Sequence, residues 1–276
     1  MNYLITGAPG FLGNEIVDSI LNSNSKNNDE LILLGHSEKR ADKLSRKHGI
    51  PVFVGDIQDS YFLENIFRKK KIDRIIHTAA IKYVSISNKN PTTTIETNII
   101  GSYNLIKMAK KYNIKEMVGI STDKALNPMS IYGMTKKLME ELFIEAGFTI
   151  VSGVNFFGSS GSVLDIWNDQ ILQKKPLTIT NKNCMRYFIE IDMMVDLVLD
   201  SFGKNEIIYP ESTVRIKMGD MLDIFMETFD YFKFREVGLL PGEKLEEDID
   251  QSIKWKEADK AHLKKLMEQW SKRFNY

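Results

Sequence analysis

Through the first half of the chain, short unbroken apolar runs alternate with stretches whose apolar positions recur at helical spacing. Residues 3–6, 31–34, 52–54, 75–78, 117–121 and 149–154 read as strands. Helical patterns occupy 13–21, 61–70, 93–112 and 135–146. Strands that are apolar throughout, rather than alternating, belong to a parallel sheet covered on both faces. The Asn/Ser/Lys-rich segment 22–30 reads as an exposed loop. After residue 154 the rhythm changes. Glycine and serine cluster at 158–162, a polar run covers 174–183, helical patterns return at 192–202 and 218–229, and Pro241-Gly242 marks a loop. In the tail 253–274, Trp255, Ala258, Leu263, Leu266, Met267, Trp270 and Phe274 fall at helical spacing with lysines opposite. This predicts an amphipathic helix packed on its own protein.

The pattern predicts an α/β fold: a Rossmann-like doubly wound parallel sheet with a smaller C-terminal substrate-binding lobe. Residues 1–154 form the dinucleotide-binding domain, with 185–209 returning to it, and 155–184 with 210–276 form the lobe. A length of 276 residues suits a large core with a smaller companion. The 37 basic and 37 acidic side chains cancel, so no chain-wide basic field exists to wrap nucleic acid. The single cysteine, Cys184, excludes an internal disulfide and every multi-cysteine zinc module, and no metal is expected. It reads as a small buried apolar residue. No apolar run reaches the roughly 18 residues of a membrane span. The chain enters Leu4-Ile5-Thr6-Gly7 at once, which reads as a first strand rather than a signal peptide. A soluble, cytoplasmic protein without a membrane partner is the expectation.

Gly7-Ala8-Pro9-Gly10-Phe11-Leu12-Gly13 follows the first strand and opens the first helix. Glycines three apart permit a tight turn and let backbone N–H groups approach a pyrophosphate at a helix N-terminus. Sites for NAD usually carry Asp or Glu at the end of the second strand, on the ribose hydroxyls. Here the strand ends Leu34-Gly35-His36-Ser37, with Arg40 beyond. These residues suit a 2′-phosphate, so NADP is the expected cofactor, with NAD as the alternative. Asp56-Ile57, after the third strand, is placed to edge the adenine.

Tyr132 and Lys136 are spaced i, i+4 and share one helix face. An ammonium near a phenol favours the phenolate, which lets tyrosine act as a base. They follow Ser121-Thr122-Asp123-Lys124 at the end of the fifth strand, where parallel sheets place their chemistry. With the glycine loop, this identifies a short-chain dehydrogenase/reductase of the extended type.

Further segments occur in order: His77-Thr78-Ala79-Ala80-Ile81-Lys82-Tyr83-Val84, Thr97-Asn98-Ile99-Ile100-Gly101, Asn155-Phe156-Phe157-Gly158-Ser159-Ser160-Gly161-Ser162-Val163, Pro176-Leu177-Thr178-Ile179-Thr180, Arg186-Tyr187-Phe188 and Pro241-Gly242-Glu243-Lys244-Leu245. Over about residues 1–250 the chain closely resembles the UDP-N-acetylglucosamine 4,6-dehydratase family, including its soluble 5-inverting members. Thr-Asp-Lys ahead of Tyr-x-x-x-Lys is the most specific element. The dTDP-glucose enzymes carry Thr-Asp-Glu there, and sugar 4-epimerases lack the acid–base pair.

The resemblance implies a role for each residue. Tyr132 takes the sugar O4 proton as a hydride leaves C4. Lys136 holds the cofactor ribose and lowers the tyrosine pKa. Lys124 removes the C5 hydrogen, Asp123 protonates the departing 6-hydroxyl, and Thr122 hydrogen-bonds O4. A charged lysine beside Asp123 opposes the acid role, so the two must share protons as a coupled unit. Ala79, Ala80, Lys82 and Asn98 lie near the nicotinamide or sugar. Asn155, Ser162 and Arg186 hold the UDP-sugar diphosphate, Val163 also lies in the substrate site, Leu177 and Thr178 flank the uracil, and Glu243 with Lys244 closes the substrate side. The helices 93–112 and 135–146 match the pair that builds dimers in this superfamily, so a homo-oligomer is implied.

The chain departs from the family where an Arg-aromatic-Gly segment is replaced by Ser152-Gly153-Val154. Leu240 and Glu246 likewise stand where the family has Arg and His. These changes touch substrate contacts and leave the catalytic group intact. Two other readings remain: a nucleotide-sugar epimerase or 4-keto reductase, and a non-catalytic dinucleotide-binding regulator.

Overall fold

The structure, a computed structural model, describes residues 1–23 and 29–273. Residues 24–28 of the expected loop, and Phe274 of the expected tail helix, lie outside the described residues. In chain order the elements are β1 (Asn2–Thr6), α1 (Phe11–Ser23), β2 (Glu30–Gly35), α2 (Glu38–His48), β3 (Val52–Val54), α3 (Ser60–Lys69), β4 (Arg74–His77), α4 (Val84–Lys89), α5 (Pro91–Ile95), a π-helical turn (Glu96–Gly101) and α6 (Ser102–Lys111). There follow β5 (Glu116–Thr122), a 3₁₀ turn (Asp123–Ala125), α7 (Ile131–Glu145), β6 (Thr149–Gly153), β7 (Asn155–Phe156), α8 (Val163–Leu172), β8 (Leu177–Ile179), β9 (Met185–Ile189) and α9 (Ile191–Asp200). The last are β10 (Ile207–Ile208), β11 (Ser212–Lys217), α10 (Met218–Phe229), β12 (Phe234–Glu236), β13 (Lys254–Glu257) and α11 (Lys260–Arg273).

The chain divides into two compact units, Met1–Gly153 with Asp192–Tyr209, and Val154–Ile191 with Pro210–Tyr276. The first unit carries one parallel sheet in the order β10-β6-β5-β4-β1-β2-β3. Leu4, Ile5, Ile32 and Leu33 are at most 1% exposed although neighbours along a strand face opposite sides, so both faces are covered. The strand order reverses between β1 and β4, the switch point of a doubly wound fold. Thr6 pairs with both Leu34 and His77, and His77 with Gly119. The carboxyl ends of these strands therefore lie side by side, where the loops that carry the motifs leave the sheet.

Two helices differ from expectation. The stretch 93–112 is α5, the π turn and α6 rather than one α-helix. The Ser102 hydroxyl donates to the Asn98 carbonyl within this turn, and π turns of this kind often mark functional positions. Helix α7 starts at Ile131, four residues before the expected start, because Ser130 caps it by accepting from the Gly133 N–H at 3.1 Å.

The second unit contains a sheet in the order β13-β11-β9-β7 and the pair β12-β8. The segment 185–209 does not return to the first unit as a whole, because β9 pairs antiparallel with β11 and parallel with β7. Only 192–209 joins the first unit, where β10 extends the sheet beside β6. The core of the second unit gathers Trp167, Phe225, Met267 and Trp270, with the Trp167 and Phe225 ring centroids 5.2 Å apart. Cys184 is buried in the same core. The tail is helical only from Lys260. Residues 254–257 pair with β11 as strand β13, leaving Trp255 49% exposed, while Leu263, Leu266, Met267 and Trp270 are buried as the spacing predicts.

Candidate active site

The glycine loop is a close-fitting cradle. Gly7 takes φ +71°, a conformation open to glycine, and a Cβ there would lie 2.7 Å from the Ala79 nitrogen. A Cβ on Gly13 would lie 2.4 Å from the Gly7 carbonyl, so only glycine lets α1 sit this close to β1. The Gly10 N–H donates to the Gly7 carbonyl at 2.8 Å, and α1 opens at Phe11 with no acidic residue in its first turn. Leu12 is buried beneath the loop and Phe11 is half-buried. A helix N-terminus with tight glycines and no competing carboxylate fits a pyrophosphate.

Around the loop, Ala79 and Ala80 are half-buried after β4. His36 and Arg40 are exposed, and Ser37 is half-buried at the N-cap of α2 without a side-chain cap bond. Glu38, between Ser37 and Arg40, is an exposed carboxylate in the first turn of α2, close to where an NAD site carries one, although it lies past the strand end. Asp56 is exposed, whereas Ile57 is 3% exposed and packs into the core against Gly101, which removes its side chain from the expected adenine edge.

The chemistry-bearing residues cluster at the end of β5. The Thr122 hydroxyl donates to Asp123 Oδ1 at 2.8 Å, and both the backbone N–H (2.9 Å) and Nζ (3.1 Å) of Lys124 donate to the same oxygen. Asp123 Oδ2 is buried and has no hydrogen-bond partner among the described residues. A buried carboxyl oxygen without a donor costs free energy until a proton or a ligand hydroxyl meets it. Tyr132 is 9% exposed and is hydrogen-bonded to the Thr122 side chain. Burial pushes its phenol up to about 12, opposed first by the positive charge of Lys124. The positive charge acting on the phenol here is that of Lys124, where the sequence leads one to expect Lys136. The Lys136 ammonium donates to the Ile120 carbonyl at 2.7 Å, and burial brings it down to about 8.

Asn98 and Lys82 also differ in use. Asn98 is fully buried; its oxygen accepts from the Ile81 N–H, and its amide donates to the Ile81 carbonyl and to Thr135 Oγ1. These bonds pin the loop after β4 to α7, so the Asn98 amide is spent on positioning rather than on a ligand. Lys82 is exposed, with Nζ 5.2 Å from the centroid of the Tyr83 ring.

Beneath the cluster lies a polar layer that the sequence reading missed. His77 Nε2 lies 2.9 Å from Ser102 Oγ, and Nδ1 lies 2.7 Å from Thr6 Oγ1. The single Ser102 proton goes to the Asn98 carbonyl, so Nε2 carries the hydrogen and Nδ1 accepts. Burial, then the charge of Lys136, pushes the ring down to about 3, and the native imidazole is neutral. The unfolded ring protonates below its ordinary value of 6.5, so acid favours the unfolded chain. Stability through His77 is present above pH 6.5 and falls by about 1.4 kcal/mol per unit as the pH drops toward 3. In urea unfolding at pH 5 and pH 8, His77→Gln should show a smaller loss of stability on acidification than the wild type. Equal losses would remove His77 from this role.

In the second unit, Asn155 donates to the Tyr187 carbonyl at 2.9 Å. Ser162 stands at the N-cap position of α8 without a side-chain cap bond, its hydroxyl buried with no hydrogen-bond partner among the described residues. Val163 opens the helix and packs on the core. Leu177 is fully buried beside Trp167, so its side chain belongs to the core and not to a uracil site. Thr178 exchanges hydrogen bonds with Gln170 through both its N–H and its hydroxyl, and its carbonyl accepts from Trp167 Nε1. Those contacts fasten β8 to α8. Arg186 donates to the Met185 and Leu245 carbonyls and lies 3.8 Å from Glu247. Glu243 accepts from the Leu240 N–H, and Lys244 donates to Asp248.

Among the described residues no three His, Cys, Asp or Glu side chains group as a metal site, and no helix is long and apolar enough to cross a membrane. The sequence is 32% identical over 274 residues to an uncharacterized membrane protein of Methanocaldococcus jannaschii, covering 89% of this chain and 79% of that protein. It is 30% identical over 278 residues to an inverting UDP-N-acetylglucosamine 4,6-dehydratase of Campylobacter jejuni, covering 95% of this chain and 79% of the enzyme. A UDP-glucose 4-epimerase of Rickettsia bellii is 30% identical over 275 residues, with 93% and 79% covered. The family described as polysaccharide biosynthesis protein matches residues 3–269. With that match spanning both units and the phosphate loop, the chain belongs to the polysaccharide biosynthesis protein family.

Proposed function

We propose that the protein is a nucleotide-sugar 4,6-dehydratase acting on UDP-N-acetylglucosamine, the substrate named in its Campylobacter relative. The observation that carries this reading is the Asp123–Lys124 pair, held in one hydrogen-bonded group with Thr122 and Tyr132. Elimination across C5–C6 needs a base for the C5 hydrogen and an acid for the 6-hydroxyl. This pair supplies both, and the unpartnered Asp123 Oδ2 is the oxygen suited to carry the acid proton.

The glycine loop would hold a dinucleotide pyrophosphate, and Tyr132 with Lys136 its nicotinamide ribose. When bound, the dinucleotide accepts a hydride from sugar C4 and returns it to C6. The protein's own groups move the protons. Tyr132 takes the O4 proton, with Thr122 orienting O4. The resulting 4-ketone acidifies C5, Lys124 removes the C5 hydrogen, and Asp123 protonates the departing hydroxyl. Returning a proton to C5 from the opposite face would invert that centre. In the second unit, Asn155, Ser162 and Arg186 are the proposed diphosphate ligands, with Ser162 favoured by its unpartnered hydroxyl at the α8 N-terminus.

His36, Ser37 and Arg40 favour NADP through contacts to a 2′-phosphate, whereas Glu38 is positioned to favour NAD. Parallel titrations with the two dinucleotides separate these readings.

The second reading is an epimerase, favoured by the Rickettsia relative at equal identity. An epimerase inverts C4 without loss of mass. A dehydratase removes one water from UDP-N-acetylglucosamine, which mass spectrometry resolves. A homo-oligomer is proposed through α6 and α7, where Tyr103, Met134 and Leu138 are 45%, 47% and 53% exposed. Leu138→Glu should reduce the mass measured by sedimentation to that of one chain. An unchanged mass would move the interface elsewhere.

A further inference from the structure

Glu140 is one of the most deeply buried acidic side chains in the first unit, at 3% exposure, and the reaction scheme does not use it. It lies on α7 one turn beyond Lys136. Its Oε1 accepts from the Ser121 hydroxyl at 2.5 Å, at the end of β5 and next to Thr122. Its other oxygen lies 3.4 Å from Lys137 Nζ. Lys137 is 43% exposed and sits closer to Glu141, at 2.9 Å, so it is a weak and shared counter-ion. A neutral hydroxyl and half a surface lysine do not compensate a buried carboxylate.

Lys136 poses the complementary problem. It is 3% exposed, and its ammonium donates to the Ile120 carbonyl and approaches Met139 Sδ at 3.5 Å, with no carboxylate partner among the described residues. From neighbouring elements it meets the Ile120 carbonyl of β5, and its charge acts on His77 of β4, which is uncharged at ordinary pH. On α7 the nearby charged groups are Glu140, Lys137 and Glu141, and Tyr132 is a neutral phenol. Two buried ionisable groups of opposite sign thus stand i, i+4 on one helix, Lys136 without a carboxylate within ion-pair distance among the described residues and Glu140 with only a hydroxyl and a shared, half-exposed lysine.

We propose that Glu140 is a positioning residue of this site: anchored by Ser121, its carboxylate is the counter-charge that keeps Lys136 an ammonium and locks α7 to the end of β5. The assignment rests on the reading of Lys136 as the residue that holds the cofactor ribose. A charged lysine donates there, whereas a neutral one does not hold its geometry as firmly. The electrostatics agree in direction: burial lowers Lys136, and the Glu140 carboxylate raises it. Burial in turn raises Glu140, and its contacts with Ser121, Lys137 and Lys136 lower it.

The test needs no cofactor. Protein carrying [ε-¹³C]lysine is titrated by NMR, with the Lys136 signal assigned by its loss in Lys136→Met. Wild type should titrate near pH 8. Glu140→Gln, which retains an acceptor for Ser121, should shift the midpoint down by about one unit, and Glu140→Asp should restore most of it. Circular dichroism melts of each variant confirm that the fold is kept. An unchanged midpoint in folded Glu140→Gln overturns the proposal. Dinucleotide titration then reads the functional assignment separately. A shifted midpoint without any binding by wild type sinks the ribose role of Lys136 but leaves the charge pairing. Binding by wild type with an unshifted midpoint does the reverse.

Discussion

Tyr132→Phe is expected to lower turnover of UDP-N-acetylglucosamine by about 10²–10⁴-fold, the span of a positioned general base. The ring is 9% exposed in the first turn of α7, so phenylalanine keeps its packing and deletes only the hydroxyl that meets Thr122. Dinucleotide affinity should fall far less than turnover, because Lys136 and the glycine loop still hold the cofactor when the Tyr132 contact to its ribose is lost. The loss should therefore appear in kcat and kcat/KM together, the signature of a contact made in the transition state. Burial holds the phenol at about 12, so turnover limited by this proton transfer should rise with pH across the neutral range. Lys124 is the first group opposing that rise in pKa, so removing its charge moves the phenol further up and displaces the rise in turnover to higher pH. Full activity in Tyr132→Phe would remove the base from the scheme.

The second large effect separates the two halves of the elimination. Lys124→Met deletes the proposed C5 base, and Asp123→Asn deletes the proposed acid while keeping the size of the side chain. Each should lose product formation by about 10²–10⁴-fold. The partial reactions should differ. Asp123→Asn leaves a base in place, so sugar recovered from deuterated water should carry deuterium at C5 without having lost the 6-hydroxyl. Lys124→Met should show neither exchange nor elimination. Exchange that survives in Lys124→Met but not in Asp123→Asn would reverse the assignments. Because both side chains meet at Asp123 Oδ1, the double variant should cost much less than the product of the single losses.

The first unit was legible because a parallel sheet covered on both faces writes its strands as unbroken apolar runs. Leu31–Leu34 and Met117–Ile120 are such runs, and each lies in a strand of the sheet. The second unit was harder to read. Strands β7, β8, β12 and β13 span only two to four residues, and β12 and β13 are exposed along their length, so their pairing depends on distant partners. Trp255 shows the cost: it fits a helical spacing, yet the Lys-Trp-Lys-Glu alternation pairs with β11. At the site, contiguous motifs located Thr122, Asp123, Lys124 and Tyr132, because chemistry at the end of one strand and the start of the next helix stays close in sequence. What linear spacing hid was pairing through space. The turn of Lys136 toward Ile120, the buried Glu140–Ser121 bond, the His77–Thr6–Ser102 layer and the placement of Leu177 in the core depend on which faces the sheet and helices bring together.

One set of side chains is proposed to serve both oxidation at C4 and elimination across C5–C6. Incubation with UDP-N-acetylglucosamine and dinucleotide in deuterated water, read by mass spectrometry and proton NMR, tests it most directly. The expected product lacks one water and carries deuterium at C5, with a ring coupling that reports whether C5 inverted. A sugar recovered with unchanged mass and inverted C4, or wholly unaltered despite bound dinucleotide, would contradict it. The first outcome would identify an epimerase, and the second a different nucleotide sugar, with Ser152-Gly153-Val154 the first segment to restore to the family pattern.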